Sequence, residues 1–214
     1  MPQGMWNGSS YFAAYRLNAA HTGIIAADGT GSVIGSPTTA DAALILEDDT
    51  ANDIIVQTSD WTPDKVGVNT CTVETSDPTV EEFLETAAPS TSSSSSSVVK
   101  KEYTSEVGGK IGGAGSSSGV PYLVISSLQQ NDTEVLTKMA IVNFSPESGK
   151  IKTTSGDIAM WGLKFSTVAA KAALAIPNAL FPTSVYDIDP AISAGDRTVA
   201  SGAYIKTSML PKAA

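Results

Sequence analysis

Seven segments of this chain carry the residue types that favour β-strands, and they constrain the fold more than any other feature of the sequence. Each segment is rich in β-branched or aromatic residues and is bounded by glycine, proline, asparagine or aspartate. The segments are residues 53–58, 66–75, 98–107, 120–127, 135–144, 157–166 and 198–209. This density of strands predicts a mainly β fold, an antiparallel β-sandwich or barrel with one or two short helices and long loops.

Two short helices are predicted from capping and stop signals. Residues 77–85 offer Asp77 as the N-cap and Pro78 at the first helical position, followed by acidic residues in the first turn. Residues 167–176 place apolar side chains on one side of a helix, and Pro177 would end it. Each helix would have about three turns, which suits the ends of a sandwich better than a helical layer.

The first 20 residues are predicted to form an N-terminal arm, ahead of a single β-sandwich domain at residues 21–214. The arm is rich in aromatic rings, which need a groove to cover them, either on the same subunit or on the next. We expect its rings to contact neighbouring subunits. These expected contact residues are Trp6, Tyr11, Phe12 and Tyr15.

Four long stretches show neither a strand nor a helix pattern: residues 23–39, 87–97, 108–119 and 181–197. The second is an extended loop that ends in the six serines Ser92 to Ser97, which have no apolar side chain to bury. The third is a Gly/Ser-rich hairpin tip. Stretches of this length usually have a function or a partner. We therefore expect contacts between copies of the chain, with Ser92 and Ser97 among the contact residues.

Charge is scarce and unevenly distributed. Charged residues make up 16% of the chain, against about 25% in an average soluble domain. Residues 1–97 contain 13 acidic and 2 basic residues, whereas residues 98–214 contain 9 acidic and 11 basic ones. Binding to a nucleic acid backbone depends on lysine and arginine, so the sequence does not predict specific DNA binding. An acidic surface instead suits a conduit along which DNA slides without sticking.

Two catalytic patterns match the sequence but lack their context. Residues 115–119 fit G-x-S-x-G, yet no strand, helix and later histidine surround them. Residues 97–100 fit S-x-x-K, but the segment reads as a loop entering a strand, and the companion triplets are missing. The sequence therefore predicts no enzyme and no cofactor.

Metal and membrane signals are equally weak. The single cysteine, Cys71, lies in a strand-like segment and is predicted to be a buried structural thiol. The acidic group at residues 47–53 could supply oxygen ligands for calcium, but it lacks the EF-hand spacing, and a solvated acidic turn is favoured. His21 is predicted to be a polar loop residue. No apolar run is long enough to span a bilayer.

Taken together, these features resemble the major tail tube protein of tailed bacteriophages and the related tube proteins of contractile injection machines. The resemblance covers most of the chain as a pattern. It rests on the aromatic arm at residues 1–15, the polar loop that ends at Ser97 before strand 98–107, and the strand at 158–165 leading into 167–176.

The resemblance implies a virion tail protein, assembled in the bacterial host cytoplasm, whose strands join those of neighbours into a closed ring. Its partners would be further copies of itself, other tail proteins, and DNA that passes through the lumen without specific binding. Rings would stack through the arm and the polar loop. The acidic residues implied to face the lumen are drawn from Glu47, Asp48, Asp49, Glu81, Glu82 and Glu85.

Two other classes of function stay open on the sequence. A capsid decoration protein or other virion surface protein would share the strands and loops without a closed ring. A carbohydrate-binding module would place Trp6, Trp61 and Trp161 on one exposed face; the apolar strand around Trp161 argues against this.

Overall fold

The computed structural model describes residues 11–47, 57–58, 62–65, 67–75, 79–80, 83, 120–129, 131–144, 149–152 and 160–214. The fold is mainly β and antiparallel, as predicted. The strands are β1 (Tyr11–Arg16), β2 (Leu44–Glu47), β3 (Gln57–Thr58), β4 (Thr62–Lys65), β5 (Val68–Thr75), β6 (Tyr122–Gln129), β7 (Glu134–Phe144), β8 (Gly149–Lys152), β9 (Met160–Thr167), β10 (Leu174–Ala175), β11 (Thr198–Val199) and β12 (Ile205–Pro211).

One large sheet contains ten of these strands, and its backbone order is β2-β1-β6-β7-β9-β5-β3. In addition β12 pairs with β7, β4 with β5, and β8 with β9, while β10 and β11 form a separate two-stranded sheet. The hairpin between β6 and β7 is closed by Asn131, whose side-chain oxygen accepts the N–H groups of Thr133 and Glu134 at 2.8 and 2.7 Å. Such a turn fixes the register of the two central strands.

Strand β7 has two different partners along one of its sides. Residues 134–140 pair with β12, whereas Val142 to Phe144 pair with β9. Between them the C=O of Ile141 accepts the N–H of Val168 at 2.8 Å. The sheet therefore branches at Ile141 into a five-strand run, β2-β1-β6-β7-β12, and a branch that continues through β9 and β5.

Side chains alternate between two buried faces of this sheet. The first, which we call the inner face, carries an aromatic cluster in which the rings of Tyr122 and Phe165 lie 5.3 and 5.5 Å from that of Phe144. Phe83 also contacts Phe144, at 5.5 Å. The buried residues of the inner face are Phe12, Ala14, Leu44, Leu46, Val73, Val80, Phe83, Tyr122, Val124, Ala140, Val142, Phe144, Leu163 and Phe165.

The sheet curls around the inner face. In a flat sheet β1 and β9 would lie roughly 14 Å apart, since they are separated by β6 and β7. The rings of Phe12 in β1 and Phe165 in β9 are nevertheless only 5.8 Å apart. The inner face is therefore concave and closes on its own side chains, which gives a sandwich-like core.

The opposite, outer face is covered by the chain that follows β9. Buried side chains from Ala170 to Val199 and Leu210 pack on those of β1, β6 and β7. The strand residues of this face are Tyr11, Ala13, Tyr15, Leu123, Ile125, Val135, Met139 and Ile141. The sheet is thus buried on both sides at β1, β6 and β7, which explains why β1 and β6 read as nearly continuous apolar runs.

The predicted N-terminal arm is wrong for residues 11–16. These residues form β1, which pairs with β2 on one side and with β6 on the other. Tyr11, Phe12 and Tyr15 are at most 1% exposed and lie in the core of their own chain. The groove that their rings need is supplied by both faces of the sheet, so they cannot serve as subunit contacts.

The predicted helix at residues 167–176 is also wrong. Thr167 ends β9, and Leu174 and Ala175 form β10, which pairs with β11. Small alanine side chains favour a helix locally, but here Ala170 exchanges backbone hydrogen bonds with the turn at residues 202–203 instead. In the other predicted helix, residues 77–85, the described residues Thr79, Val80 and Phe83 are helical.

Residues 181–197, expected to be a free loop for contacts between copies, belong to the core. Phe181, Tyr186, Ile188 and Ile192 are each at most 5% exposed. The segment contains one short helix, Thr183–Tyr186, and is otherwise irregular in backbone, but its apolar side chains cover the outer face and it is not free. The stretches 87–97 and 108–119, and the predicted strand 98–107, lie outside the described residues.

Candidate functional site: the two edges of the five-strand run

Strand β2 forms one edge of the five-strand run. Within the part of the chain that the structure describes, β2 pairs only with β1, through Leu44 to Glu47. Leu44 and Leu46 point into the inner core, whereas Glu47 is exposed at the end of the strand. The short run of apolar residues bounded by acids was the signal for this strand, and the sequence reasoning missed it.

Strand β12 forms the other edge. The N–H of Lys212 donates to the C=O of Thr133 at 2.9 Å. Counting back from Lys212, every second residue of β12 therefore directs its backbone N–H and C=O groups towards β7. The backbone groups of Ile205, Thr207 and Met209 then point away from β7. Among the described residues, no strand pairs with these outward groups.

The far end of the β12 edge is covered by the chain itself. Ile188 forms a bridge with Lys212, and the N–H of Asp189 donates to the C=O of Pro211 at 2.9 Å. The open part of the edge is therefore confined to Ile205 to Leu210. Met209 is 38% exposed there, one of two large apolar residues in the described chain that are strongly exposed.

The two edges carry opposite charge. The β2 edge has Asp41 in the turn before it and Glu47 at its end. The open part of the β12 edge has Lys206, and Lys138 of β7 lies opposite Thr207; at the covered end, Asp189 lies near Lys212. Unlike edges are thus electrostatically matched, and like edges repel each other.

Two buried tyrosines lie beside the acidic edge. Burial raises the pKa of Tyr15 to about 12, with a smaller contribution from Asp41. Burial also raises the pKa of Tyr11, and its neighbours Tyr15 and Glu47 add to the effect. Both hydroxyls stay neutral in ordinary solution, so they add no negative charge to that of the two acids.

Most of the residues predicted to face a lumen or a neighbour are not described. Trp6, Ser92 and Ser97 lie outside the described residues, as do Asp48, Asp49, Glu81, Glu82 and Glu85. Glu47 is the one member of the acidic set that the structure places, and it is exposed at the β2 edge. Tyr11, Phe12 and Tyr15 are buried, as described above.

No metal centre is assembled by the described residues, which contain no group of three or more histidine, cysteine, aspartate or glutamate side chains suited to an ion. Of the acidic group at 47–53, only Glu47 is described. No helix among the residues searched has the length and apolar character needed to cross a membrane. The segments with catalytic patterns, 97–100 and 115–119, are outside the described ranges.

His21 lies in a loop, as the sequence suggested, but its side chain is buried. It is 4% exposed, with a positive φ of 59°. Its Nδ1 accepts the N–H of Lys171 at 3.3 Å.

Comparisons with known proteins identify no relative. No protein-family model matches the chain, and neither the curated proteins nor the solved structures give a significant match. Function therefore has to be argued from the geometry of the sheet.

Proposed function

We propose that this protein is a structural subunit that polymerises through its sheet edges into stacked rings, as the subunit of a phage tail tube does. DNA passes through the lumen of the assembly without being specifically bound. The observation that carries the proposal is the pair of edges, β2 and β12, at opposite ends of one five-strand run, which no other described strand covers. An open edge is an aggregation hazard in a monomer, and a closed ring removes it.

The strand directions decide how copies would join. Each neighbour in the five-strand run is antiparallel, so β2, β6 and β12 run in one direction and β1 and β7 in the other. Copies arranged head to tail around an axis would therefore place β12 beside the next subunit's β2 in parallel. Joining like edges by a two-fold axis would give antiparallel pairs instead.

Charge favours the head-to-tail arrangement. Joining β12 to β2 brings Lys206, in the open part of the β12 edge, towards the edge that holds Asp41 and Glu47, whereas joining like edges brings charges of the same sign together. A heterologous contact of this kind is not self-limiting in the way that a two-fold contact is. It gives a ring if the rotation closes and a filament if it does not.

The proposal is tested by cross-linking between unlike edges. We expect a mixture of Glu47→Cys and Thr207→Cys chains, treated with a short bismaleimide linker, to give covalent dimers. Chains with both substitutions should give a ladder of larger products. Electron microscopy of the uncross-linked protein should show tubes of uniform diameter.

The controls separate this contact from background reactions. Wild-type protein reports linkage through the native Cys71, and Ala173→Cys places a thiol at an exposed site outside both edge strands. Dimers from Glu47→Cys alone would indicate joining of like edges. A mixture that gives no more dimer than wild type, from a protein that stays monomeric at high concentration, would refute the proposal.

A second candidate, a virion surface or decoration protein, is favoured by the cover over part of the β12 edge. Ile188, Asp189 and Pro211 close the far end of that edge within one chain, and lysine and proline on edge strands commonly prevent association. This function predicts a monomer in solution that binds assembled capsids. The same cross-linking mixture distinguishes the two candidates.

A further inference from the structure

Three segments that leave the sheet meet at His21, and we call their meeting point the His21 junction. The segments are the loop 18–23 after β1, residues 170–173 after β9, and the turn 200–203 before β12. In the loop, the N–H of His21 donates to the C=O of Asn18 at 3.0 Å. A bridge between Leu17 and Ile24 closes the base of the loop.

The second segment is held to the loop by both ends of one lysine. The backbone N–H of Lys171 donates to His21 Nδ1 at 3.3 Å, and its Nζ donates to the C=O of Ala19 at 2.8 Å. The third segment is held to the second, because Ala170 donates to Ala203 at 2.9 Å and accepts from Gly202 at 2.8 Å. His21 and Ala19 are therefore the two contacts through which the first segment is held to the second, and through the second to the third.

The chemistry of this contact requires a neutral imidazole. Nδ1 accepts a hydrogen bond only when the ring proton is on Nε2; a protonated ring has donors at both nitrogens and no acceptor. Protonation would set two donors, Nδ1–H and the N–H of Lys171, against each other at a site that is 4% exposed. It would also add a positive charge beside the Lys171 ammonium.

The backbone conformation of His21 is itself strained. Its φ of 59° lies in the left-handed region, which is unfavourable for a residue other than glycine. The surrounding hydrogen bonds have to hold the residue in this conformation. Losing one of them favours release of the loop.

We propose that the His21 junction is a pH-sensitive latch, which ties the loop after β1 to the segments flanking β9 and β12 near neutral pH and releases it on acidification. The latch is a property of the single chain and does not depend on how copies assemble. Release leaves the paired strands in place and frees the loop 18–23.

The electrostatics of the junction have the required sign. Burial lowers the pKa of His21, and the nearby Lys171 ammonium lowers it further; no carboxylate of the described residues contributes to this shift. Because the pKa is lower in the folded than in the unfolded chain, the stabilising contribution is complete above the unfolded value of about 6.5. It is lost as the pH falls below that value.

The test uses the fact that the chain contains a single histidine. The imidazole signals in an NMR titration then belong to His21 without assignment, and we expect a midpoint below about 6.5. Amide exchange at Lys171, corrected for the intrinsic effect of pH, should become faster between neutral pH and about pH 5. Exchange in β6 and β7 should not change.

Two variants separate the latch from a merely structural role. His21→Asn tolerates the left-handed backbone but does not titrate, so the pH dependence of exchange at Lys171 should disappear. Lys171→Met keeps the backbone donor and removes the ammonium, so the midpoint of His21 should rise. A midpoint at or above about 6.5 in wild type, or an unchanged pH dependence in His21→Asn, would overturn the proposal.

Discussion

The inner and outer faces of the sheet are both buried, but they are closed by different parts of the chain. The inner face is closed by curvature, which brings Phe12 of β1 and Phe165 of β9 within 5.8 Å of each other. The outer face is closed by residues 170–199, whose backbone is mostly irregular. In the core of the inner face, strands therefore lie on both sides. In the core of the outer face, strands lie on one side and residues 170–199 lie on the other.

Both faces contain buried hydroxyl groups, among them Ser126 and Thr167 on the inner face, but on the outer face a hydrogen bond from one such group also ties the covering segment to the strands. The outer face contains a buried hydrogen bond of 2.9 Å between the hydroxyls of Ser127 and Thr137. The hydroxyl of Tyr186, in the covering segment, donates to the C=O of Ser127 at 3.3 Å. Such bonds fix the position of a segment that has no strand register of its own.

The largest expected effect comes from removing one ring from each face. Phe165→Ala and Phe181→Ala should each lower the free energy of unfolding by about 3 to 5 kcal/mol, because each leaves a cavity among buried side chains. Chemical denaturation measures these losses. The faces should differ in amide exchange: Phe165→Ala should affect the whole sheet, whereas Phe181→Ala should loosen residues 178–199 first.

Equal exchange behaviour in the two variants would break the comparison, because the wrapped segment would then unfold only with the sheet. Val33→Ala is a suitable control, since Val33 is 51% exposed. Its effect should stay within about 0.5 kcal/mol.

An intermediate effect is expected where the branch through β5 meets the chain before β12. Gly67, in the turn between β4 and β5, has a φ of 86°, and a Cβ there would lie 2.5 Å from the ring of Tyr204. Gly67→Ala should therefore cost about 2 kcal/mol or more, from backbone strain plus displacement of the ring. Thermal unfolding provides the measurement.

Substitutions of two other glycines separate the cost of backbone strain from the cost of displacing the Tyr204 ring. Gly202 has a φ of 79°, and a methyl group added to its Cα would have no neighbouring atom within 4 Å, so Gly202→Ala should show the backbone cost alone, about 1 to 2 kcal/mol. Gly35 has neither feature, and Gly35→Ala should be nearly neutral. If Gly67→Ala costs no more than Gly202→Ala, the contact with Tyr204 does not join the two branches.

The smallest expected effect concerns the buried hydrogen bond between Ser127 and Thr137 on the outer face. Ser127→Ala and Thr137→Val each remove one hydroxyl of the buried pair and should each cost about 1 to 3 kcal/mol. The double variant should cost less than the sum by about 1 kcal/mol, because both members of the pair are then gone. A double-mutant cycle in urea measures this coupling, and additive losses would mean that the bond does not stabilise the outer face.

The strands with clear patterns could be predicted from the sequence. Segments 66–75, 120–127, 135–144 and 157–166 overlap β5, β6, β7 and β9, since β-branched and apolar residues in them are bounded by turn residues. In β9 the buried Leu163 and Phe165 flank the exposed Lys164, as its alternation indicated. The local residue pattern was sufficient to predict these strands, because each of them also pairs with neighbouring strands in the sheet.

Elements defined by distant contacts could not be predicted. Strand β1 is buried on both faces and therefore shows no alternation of apolar and polar residues. Its aromatic residues consequently led to the prediction of an N-terminal arm. The segment 170–176 is alanine-rich, but its hydrogen bonds go to residues far along the chain. Whether a strand lies at an edge likewise depends on the strand order of the whole sheet. The residues of β2 and β12 alone do not indicate that these strands are edges.

The pairing of β1 with β6 has a consequence for synthesis of the chain. Phe12 lies opposite Ser126, so the first of these strands leaves the ribosome long before its partner is made. At about 5 to 20 residues per second, the delay is on the order of 5 to 20 seconds. Throughout that interval three aromatic side chains have no native site, and the nascent polypeptide is a client for chaperones until β6 emerges to receive them.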